Sequence, residues 1–455
     1  MSFFWILLGF LVAVSSRWAY SYFGLSCFEQ LVFHVKVPLE GTNTQFIFDW
    51  IKKCFLKSLI VSFILCWLPE LWAKFIFIAC LCYAIMQIQI ISYIAHQFMH
   101  TDVYDRLHSV EVKSPKKKMN LIHIYLESME TTYAKQEHGG NSKEDLLPFL
   151  TQLTEDNISF SNTDKIGGAR VLNGSGWTTG GIVSSSCGIP LIFNLKHKFC
   201  NDDVPFLENT TSLGDILSKD GYKQVYMIGS NAKFGGRKFF YKQHGNFEIL
   251  DIDELKRQGK LDQDYHEFWG FEDDKLFAFA KEELTQLSKL NQPFNFTMLT
   301  VDTHHPYGYQ SKNCKNQFKE SLSNSIAHTD ELLKDFMNWL KQQDFYENTV
   351  VVIQGDHTSM AAEYIHDTYD SNYERRVWNT FIHSQAKPVR TKNRDFTTFD
   401  LFPTILAALG YKIKDNKVGL GTNLFSEEKT LTETIQADKL NIELTKQSKK
   451  YQELI

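Results

Sequence analysis

The run Thr349–Gln354 (TVVVIQ) constrains the fold more than any other stretch of this chain. Its consecutive β-branched and apolar residues are typical of a strand that is buried on both faces, as in a parallel sheet. Gly355, Asp356 and His357 follow directly. Open sheets of alternating strands and helices bind ligands at the carboxyl ends of their strands. The tripeptide therefore marks a candidate site, although a Gly-Asp turn before a surface histidine is common.

Short apolar runs alternate with helical patterns between residues 119 and 426. The strand candidates are 120–126, 223–228, 294–301, 349–354 and 377–382, and the helix candidates are 211–221, 272–290, 321–343 and 399–409. This alternation predicts an α/β fold with a mostly parallel central sheet and helices on both faces.

The length of 455 residues indicates two or three structural units. We predict a membrane region with three transmembrane helices over 1–96, a polar linker over 97–118, the α/β unit over 119–426 and a helical tail over 427–455, either a surface helix or frayed. The net charge of −5 is small, so nothing indicates binding to nucleic acid.

Three apolar runs, 3–15, 55–68 and 75–94, precede the linker. A membrane span needs about 20 residues, so only the third is long enough alone. A signal peptide competes for the first run, but no basic residue precedes it and further apolar runs follow, which favours an anchor. With the amino terminus inside the cell, three crossings place the α/β unit on the outer side of the membrane. Two crossings leave it on the same side as the amino terminus. Lys52, Lys53 and Lys57 argue against the first topology.

The eight cysteines include no Cys-x-x-Cys pair, which argues against a thiolate zinc site. Cys187 and Cys200 could close a short loop by a disulfide if this part lies outside the cytoplasm, and a reduced pair is an equal alternative.

Polar residues follow several of the strand candidates. They comprise Glu127 and Ser128, Asp302 with His304 and His305, Asp356 with His357, and a glycine-rich stretch at 173–181 that contains Thr178 and Thr179. Two carboxylates, an imidazole and a hydroxyl form a mixed oxygen and nitrogen site for a divalent cation. A metal-bound threonine loses its proton more easily and becomes a nucleophile. Two neighbouring histidines could bind an anion or protonate a leaving oxygen.

Each of these residues also has an ordinary structural interpretation. Glu127 could cap a helix, the stretch 173–181 could be a flexible loop, and His304, His305 and Pro306 could form a turn. Their common position at strand ends favours a single site.

Four motifs in this order and spacing resemble the phosphoglycerol transferases. They are Tyr125–Glu130 (YLESME), Gly176–Thr178 (GWT) with Ser186–Leu191 (SCGIPL), Asp302–Pro306 (DTHHP) and Gly355–His357 (GDH). This family is similar to the lipoteichoic acid synthases, belongs to the alkaline phosphatase/sulfatase superfamily and includes enzymes that modify periplasmic glucans. The resemblance covers about 118–410 and, more loosely, 22–43, including Val37–Gly41 (VPLEG).

The resemblance implies a metal site at Glu127, Thr178, Asp356 and His357, most often with Mn²⁺, while Mg²⁺ and Zn²⁺ are possible. It implies that Thr178 is the nucleophile and forms a covalent phosphoglyceryl-threonine. No Cys/Ser-x-Pro-x-Arg motif for a formylglycine occurs, which argues against sulfate ester hydrolysis.

The resemblance also implies that Arg237, His304 and His305 bind the substrate. The lipoteichoic acid synthases hold glycerol phosphate with a tryptophan two residues before this arginine. Here Gly235 stands at that position, so Phe234 or Phe239 would have to replace the aromatic ring.

The function implied is transfer of phosphoglycerol from phosphatidylglycerol to a glycan, such as periplasmic glucan, lipopolysaccharide or capsule, with release of diacylglycerol. The expected location is the bacterial inner membrane, multi-pass, with the catalytic unit facing the periplasm. A phosphoethanolamine transferase and a phosphodiesterase of the same superfamily are alternatives. A non-catalytic membrane protein that binds glycan or lipid is another, against which the intact set Glu127, Thr178, Asp356 and His357 argues.

Overall fold

The computed structural model describes residues 1–24, 27–37, 45–198, 201 and 204–455. Cys200 and most of the Val37–Gly41 motif lie outside the described residues, and so does the predicted bridge to Cys187. The strands are β1 Val112–Lys113, β2 Asn120–Leu126, β3 Lys223–Ile228, β4 Glu248–Leu250, β5 Phe294–Leu299, β6 Thr349–Gly355, β7 Asn379–Ile382, β8 Lys412–Ile413, β9 Lys417–Val418 and β10 Gly421–Thr422. The helices are α1 Ser2–Tyr22, α2 Phe28–Lys36, α3 Gln45–Trp50, α4 Leu56–Leu65, α5 Glu70–Gln87, α6 Ile90–His96, α7 Pro148–Glu155, α8 Thr178–Cys187, α9 Leu213–Lys219, α10 Arg237–Gln243, α11 Ile252–Arg257, α12 Asp273–Leu287, α13 Ser321–Leu340, α14 Ala362–Thr368, α15 Leu401–Ala408, α16 Ala437–Glu443 and α17 Lys449–Gln452.

The central sheet of the described residues has six strands in the order β4-β3-β5-β2-β6-β7. All neighbours are parallel except β7, which runs antiparallel to β6. Every residue of β2, β5 and β6 is buried, as the unbroken apolar runs predict. The predicted α/β fold with a mostly parallel sheet is confirmed.

Helices cover both faces of this sheet. Ile122, Ile124 and Leu126 of β2 share one core with α7, α12 and α13. Leu121 belongs to a second core with α9 and α15, and Tyr125 to a third with α8. The alternation follows from the strand geometry, in which successive side chains point to opposite faces.

The amino-terminal region is a bundle of apolar helices. Among the described residues, α1 and α5 are long and apolar enough to cross a membrane, and only 11% of the most apolar window of each is buried. They lie in close contact, because a Cβ on Gly9 would stand 3.0 Å from the Cα of Phe77. Small residues permit this approach between membrane helices.

The predicted run 55–68 forms α4, which has ten residues and continues α3 through a π-helical turn at Ile51–Phe55. The run 75–94 is divided between α5 and α6. Large apolar side chains on the surface of this region remain exposed: Phe63, Ile64, Trp67, Leu71 and Trp72. Such a surface is typical of contact with lipid.

The predicted linker and tail both pack against the α/β unit. Tyr104 and Tyr451 are buried in one apolar cluster, and their rings lie 4.7 Å apart. The Tyr451 hydroxyl donates to the carbonyl of Pro190 at 2.8 Å and accepts from the N–H of Ile192 at 2.8 Å. The end of the tail is therefore docked rather than frayed.

Candidate active site

The carboxyl ends of β2 and β6 lie side by side, because these strands are parallel neighbours. The last paired residues of the ladder are Leu126 and Gly355. Glu127 and Asp356 follow these residues directly, so the sheet brings together two carboxyl groups that are far apart in sequence. Gly355 is required here, since a Cβ would stand 1.9 Å from the carbonyl oxygen of Met129.

Glu127, Asp356 and His357 form a buried cluster in which the candidate ligand atoms lie within 4.8 Å of one another. The His357 Nε2 is 3.5 Å from Glu127 Oε1 and 3.3 Å from Asp356 Oδ2. The Thr178 hydroxyl lies 3.5 Å from Glu127 Oε2 and 3.4 Å from His357 Nε2. The structure thus brings all four predicted metal-site residues to one point.

Thr178 is presented by the first turn of α8. This helix approaches β6 closely, because a Cβ on Gly181 would stand 2.1 Å from the carbonyl oxygen of Asp356. Its sequence, TTGGIVSSSC, has weak intrinsic helix propensity, and tertiary contacts bury nearly all of it. The glycines that indicated a turn in the sequence instead permit this contact.

Backbone and side-chain donors fix the cluster. The N–H groups of Ser128 and His357 donate to Asp356 Oδ1 at 2.8 and 2.9 Å. The Ser128 hydroxyl donates to Glu127 Oε1 at 2.7 Å. The His357 Nδ1 donates to the carbonyl of Thr358 at 2.9 Å, so in the neutral ring the Nε2 lone pair points to the carboxylates.

These residues fit a divalent cation. Asp356 Oδ2 is buried, and no described residue forms a hydrogen bond with it. Burial, followed by the negative charge of Glu127, raises the pKa of Asp356 to about 7. Burial opposes protonation of His357, but the charges of Asp356 and Glu127 outweigh it and raise its pKa. A cation among these groups would relieve the repulsion between the carboxylates and satisfy the free oxygen.

A cavity of about 90 Å³ lies in front of Thr178. Arg237, His304 and His305, the predicted substrate-binding residues, all line it. The guanidinium of Arg237 is held by hydrogen bonds from Nη2 to Ser230 Oγ at 3.1 Å and to the carbonyl of Asn231 at 3.0 Å. The Arg237 Nε is buried and has no hydrogen-bond partner in the part of the chain that the structure describes.

His304 and His305 follow β5 and are stacked, with their ring centroids 4.5 Å apart. Burial lowers the pKa of His304 to about 4. Burial, and then the charge of His304, places the pKa of His305 well below its usual range. Asp302 does not line the cavity. It accepts from the N–H of Asp273 at 3.0 Å and so anchors the loop that carries the two histidines.

The aromatic wall of the cavity is formed by Phe234 and Trp269. Phe234 lies 5.7 Å from the Arg237 guanidinium and 5.4 Å from Trp269, whose ring is 4.7 Å from that of His304. Phe239 does not line the cavity. Sequence analysis missed Trp269, because it belongs to a different loop from Gly235.

Sequence analysis also missed residues of the amino-terminal region that line the cavity. They are Tyr22, Phe23, Phe33, His34, Val37 and Phe46. Burial, and then the charge of His357, lowers the pKa of His34 to about 4. No periodicity or motif assigns these residues to the site, although some lie within the stretch 22–43 that supports the resemblance.

A groove of about 310 Å³ adjoins the cavity and shares Tyr22, His305 and Met360 with it. It also contains aromatic side chains, Trp18, Tyr307 and Tyr364, and charged residues of both signs. The Lys53 ammonium is 3.1 Å from Glu363 in this groove, which links the amino-terminal region to α14.

A family model described as "Sulfatase" matches residues 119–411. Phosphoglycerol transferase I of Escherichia fergusonii is 33% identical over 322 residues, which are 69% of this chain and 40% of that protein. The same protein of Shigella flexneri matches with the same identity and coverage. The chain thus spans about 40% of the length of these curated relatives.

Two solved structures share the fold. The lipoteichoic acid synthase LtaP from Listeria monocytogenes has a TM-score of 0.53 at 20% identity, over 71% of this chain and 81% of that chain. The integral membrane lipooligosaccharide phosphoethanolamine transferase A from Neisseria meningitidis has a TM-score of 0.51 at 11% identity, over 90% of this chain and 84% of that chain.

Proposed function

This chain belongs to the sulfatase family, and we propose that it is a membrane-anchored phosphoglycerol transferase that uses phosphatidylglycerol as donor and a glycan as acceptor. The observation that carries this proposal is the position of the Thr178 hydroxyl. It lies between the Glu127, Asp356 and His357 cluster and a cavity lined by Arg237 and two histidines. Sequence relatives that are named phosphoglycerol transferase I support the choice of transferred group.

In this proposal Glu127, Asp356, His357 and Thr178 hold a divalent cation, with Mn²⁺ the first candidate and Mg²⁺ or Zn²⁺ alternatives. When bound, the cation stabilises charge on the phosphoryl oxygens and makes the Thr178 hydroxyl more acidic. Arg237 provides a planar, permanently charged donor for the phosphate. His304 and His305, as neutral imidazoles, would donate hydrogen bonds to the phosphoryl or leaving oxygen.

The reaction proceeds in two halves. In the first, the Thr178 oxygen attacks phosphorus and the bond from phosphorus to the diacylglycerol oxygen breaks. Thr178 gives up its proton, and the leaving diacylglycerol takes one. In the second, an acceptor hydroxyl attacks phosphorus and the bond to Thr178 breaks. The acceptor oxygen then gives up one proton and Thr178 regains one.

The surroundings of the cavity support a lipid donor and a glycan acceptor. The end of α1 lines the cavity, so a headgroup bound there would lie close to helices that could cross the membrane. The adjoining groove carries aromatic rings and both signs of charge, a surface suited to a sugar chain. In a bacterium this corresponds to the inner membrane, with the catalytic unit in the periplasm. Periplasmic glucan, lipopolysaccharide and capsule are the candidate acceptors.

The test uses the full chain reconstituted in vesicles of phosphatidylglycerol or of phosphatidylethanolamine. We expect diacylglycerol to be released from phosphatidylglycerol, EDTA to abolish the release and Mn²⁺ to restore it. In the parent chain, mass spectrometry should find a phosphoglyceryl adduct on the peptide that contains Thr178. Thr178→Ala should abolish both the release of diacylglycerol and this adduct. Thr285→Ala, an exposed position on α12, is the matched control.

The alternatives give different results in the same assay. Preferential cleavage of phosphatidylethanolamine would indicate a phosphoethanolamine transferase. Release of free glycerol phosphate that persists when glycan is added would indicate a phosphodiesterase. A protein that releases no diacylglycerol from either lipid, with or without Mn²⁺, would be a binding protein rather than an enzyme.

A further inference from the structure

We propose that His34 of α2 binds the phosphate of the substrate, so that the site is complete only when this membrane-proximal helix is docked on the catalytic unit. This inference rests on the proposed function, because it takes a phosphodiester to be the ligand of the cavity. It adds an imidazole from outside the α/β unit to the site at Thr178.

The first observation is that His34 is a partly buried side chain with a buried, unsatisfied ring nitrogen. Its side chain lines the cavity that contains Thr178, Arg237, His304 and His305. Its Nε2 is buried and has no hydrogen-bond partner among the described residues. Buried polar side-chain atoms in folded proteins nearly always have a partner. A ligand in the cavity would provide the missing one.

The second observation is that aromatic contacts position the His34 ring. Its centroid lies 5.4 Å from the ring centroid of Phe23, in a stacked arrangement, and 6.0 Å from that of Trp177, the residue before Thr178. Phe33, its neighbour in sequence, lies 5.2 Å from the same Trp177. The imidazole is therefore held against the element that presents the candidate nucleophile.

The third observation is that α2 is attached to the catalytic unit by polar contacts as well. Lys36 donates from Nζ to the carbonyl of Leu195 at 2.8 Å. The N–H of Leu195 in turn donates to the hydroxyl of Tyr93 on α6 at 3.2 Å. These contacts hold α2 over the stretch after α8 and close one side of the cavity.

The chemistry of the cavity fits an anion that is bound from several sides. Two of its other polar side chains also have a buried nitrogen with no partner among the described residues, Arg237 at Nε and His305 at Nδ1. Together with Trp177 Nε1, four nitrogen atoms that have no hydrogen-bond partner among the described residues thus belong to side chains around one cavity. A phosphate has enough oxygen atoms to accept hydrogen bonds from several of them at once.

The experiment titrates the full Mn²⁺-loaded chain in lipid nanodiscs with sn-glycerol 1-phosphate, which has no diacylglycerol to lose. We expect His34→Ala to weaken binding about 10- to 100-fold, the loss typical of one hydrogen bond to a charged group. The KM for phosphatidylglycerol should rise more than kcat falls, and bound manganese should be unchanged. His34→Gln retains an N–H donor and should recover part of the affinity.

The matched control is His366→Ala, because the His366 side chain is 84% exposed on α14 and lies outside the cavity. Binding by His34→Ala within about twofold of the parent, while the parent releases diacylglycerol, would overturn the proposal and leave the proposed function intact. A parent chain that neither binds glycerol phosphate nor releases diacylglycerol would instead contradict the proposed function. If His34→Ala loses its metal or its thermal stability, the His34→Gln variant is the test. A His34→Gln chain that is folded but has lost all binding of glycerol phosphate counts against the proposal.

Discussion

The backbone N–H of Ser128 donates to Asp356 Oδ1 at 2.8 Å, across 228 positions of sequence. This bond joins the ends of β2 and β6, whereas Asp356 Oδ2 has no hydrogen-bond partner among the described residues. One carboxylate oxygen therefore holds the ends of the two strands together, and we propose that the other binds the cation. The structural role and the proposed metal-binding role of Asp356 can be separated by substitution.

Asp356→Asn should retain the fold and lose the metal. The amide oxygen can still accept the hydrogen bond from the N–H of Ser128, but the negative charge that would attract and balance a cation is lost. We expect the rate of diacylglycerol release to fall at least about 100-fold, because metal stabilisation contributes several kcal/mol. Metal analysis of the purified variant should find less bound manganese, while circular dichroism stays unchanged. A variant with full metal content and full activity would contradict the role assigned to this residue.

The positions of Glu127, Asp356 and His357 could be predicted from sequence because they depend on local rules. Unbroken apolar runs predict fully buried strands, and residues that follow parallel strands lie at one edge of the sheet. No rule of this kind locates Trp269 or His34. Their place at the cavity depends on how a loop and the amino-terminal helix α2 pack, in contacts such as that of Phe33 with Trp177. The docked tail could not be predicted for the same reason, since the cluster that contains Tyr451 includes residues distant in sequence, such as Tyr104 and Leu172.

Arg375→Ala should destabilise the protein strongly. Glu130 has no exposed surface in its side chain, and Arg375 donates to it from Nε at 2.9 Å and from Nη2 at 3.0 Å. Removal of the arginine would leave a buried carboxylate without its partner, which costs about 3 kcal/mol. Thermal unfolding in detergent should show a midpoint several degrees lower. The control is Arg390→Ala, whose partner is Glu433 and whose side chain is 56% exposed, so its loss should change stability by less than about 1 kcal/mol. Equal effects of the two substitutions would contradict this account.

Asp215→Asn should reduce stability at neutral pH but not in acid. Burial opposes ionisation of Asp215, but hydrogen bonds from His244 at 3.0 Å and from the N–H of Ser212 at 2.8 Å outweigh it and lower the pKa. The folded state therefore binds this proton less readily than the unfolded chain, whose aspartate has a pKa near 3.9. The stabilisation is present above that pH and is lost as the pH falls below about 4. Midpoints measured from pH 7 to pH 3 should converge for the parent and the variant, while Asp262→Asn, at an exposed position, follows the parent throughout.

Tyr307→Ala should weaken binding of the glycan acceptor and leave the reaction with the lipid donor unchanged. Tyr307 lines the groove beside the cavity, is 50% exposed and does not line the cavity itself. An aromatic ring on a sugar contributes about 0.5–1.5 kcal/mol, so the KM for a glycan acceptor should rise about 2- to 10-fold. Diacylglycerol release without acceptor should keep its rate, because in the proposed mechanism the first half of the reaction does not use the groove. Tyr307→Phe, which keeps the ring, should behave like the parent. An equal loss in both halves would mean that Tyr307 acts on the donor, and no loss in either would mean that the acceptor binds elsewhere.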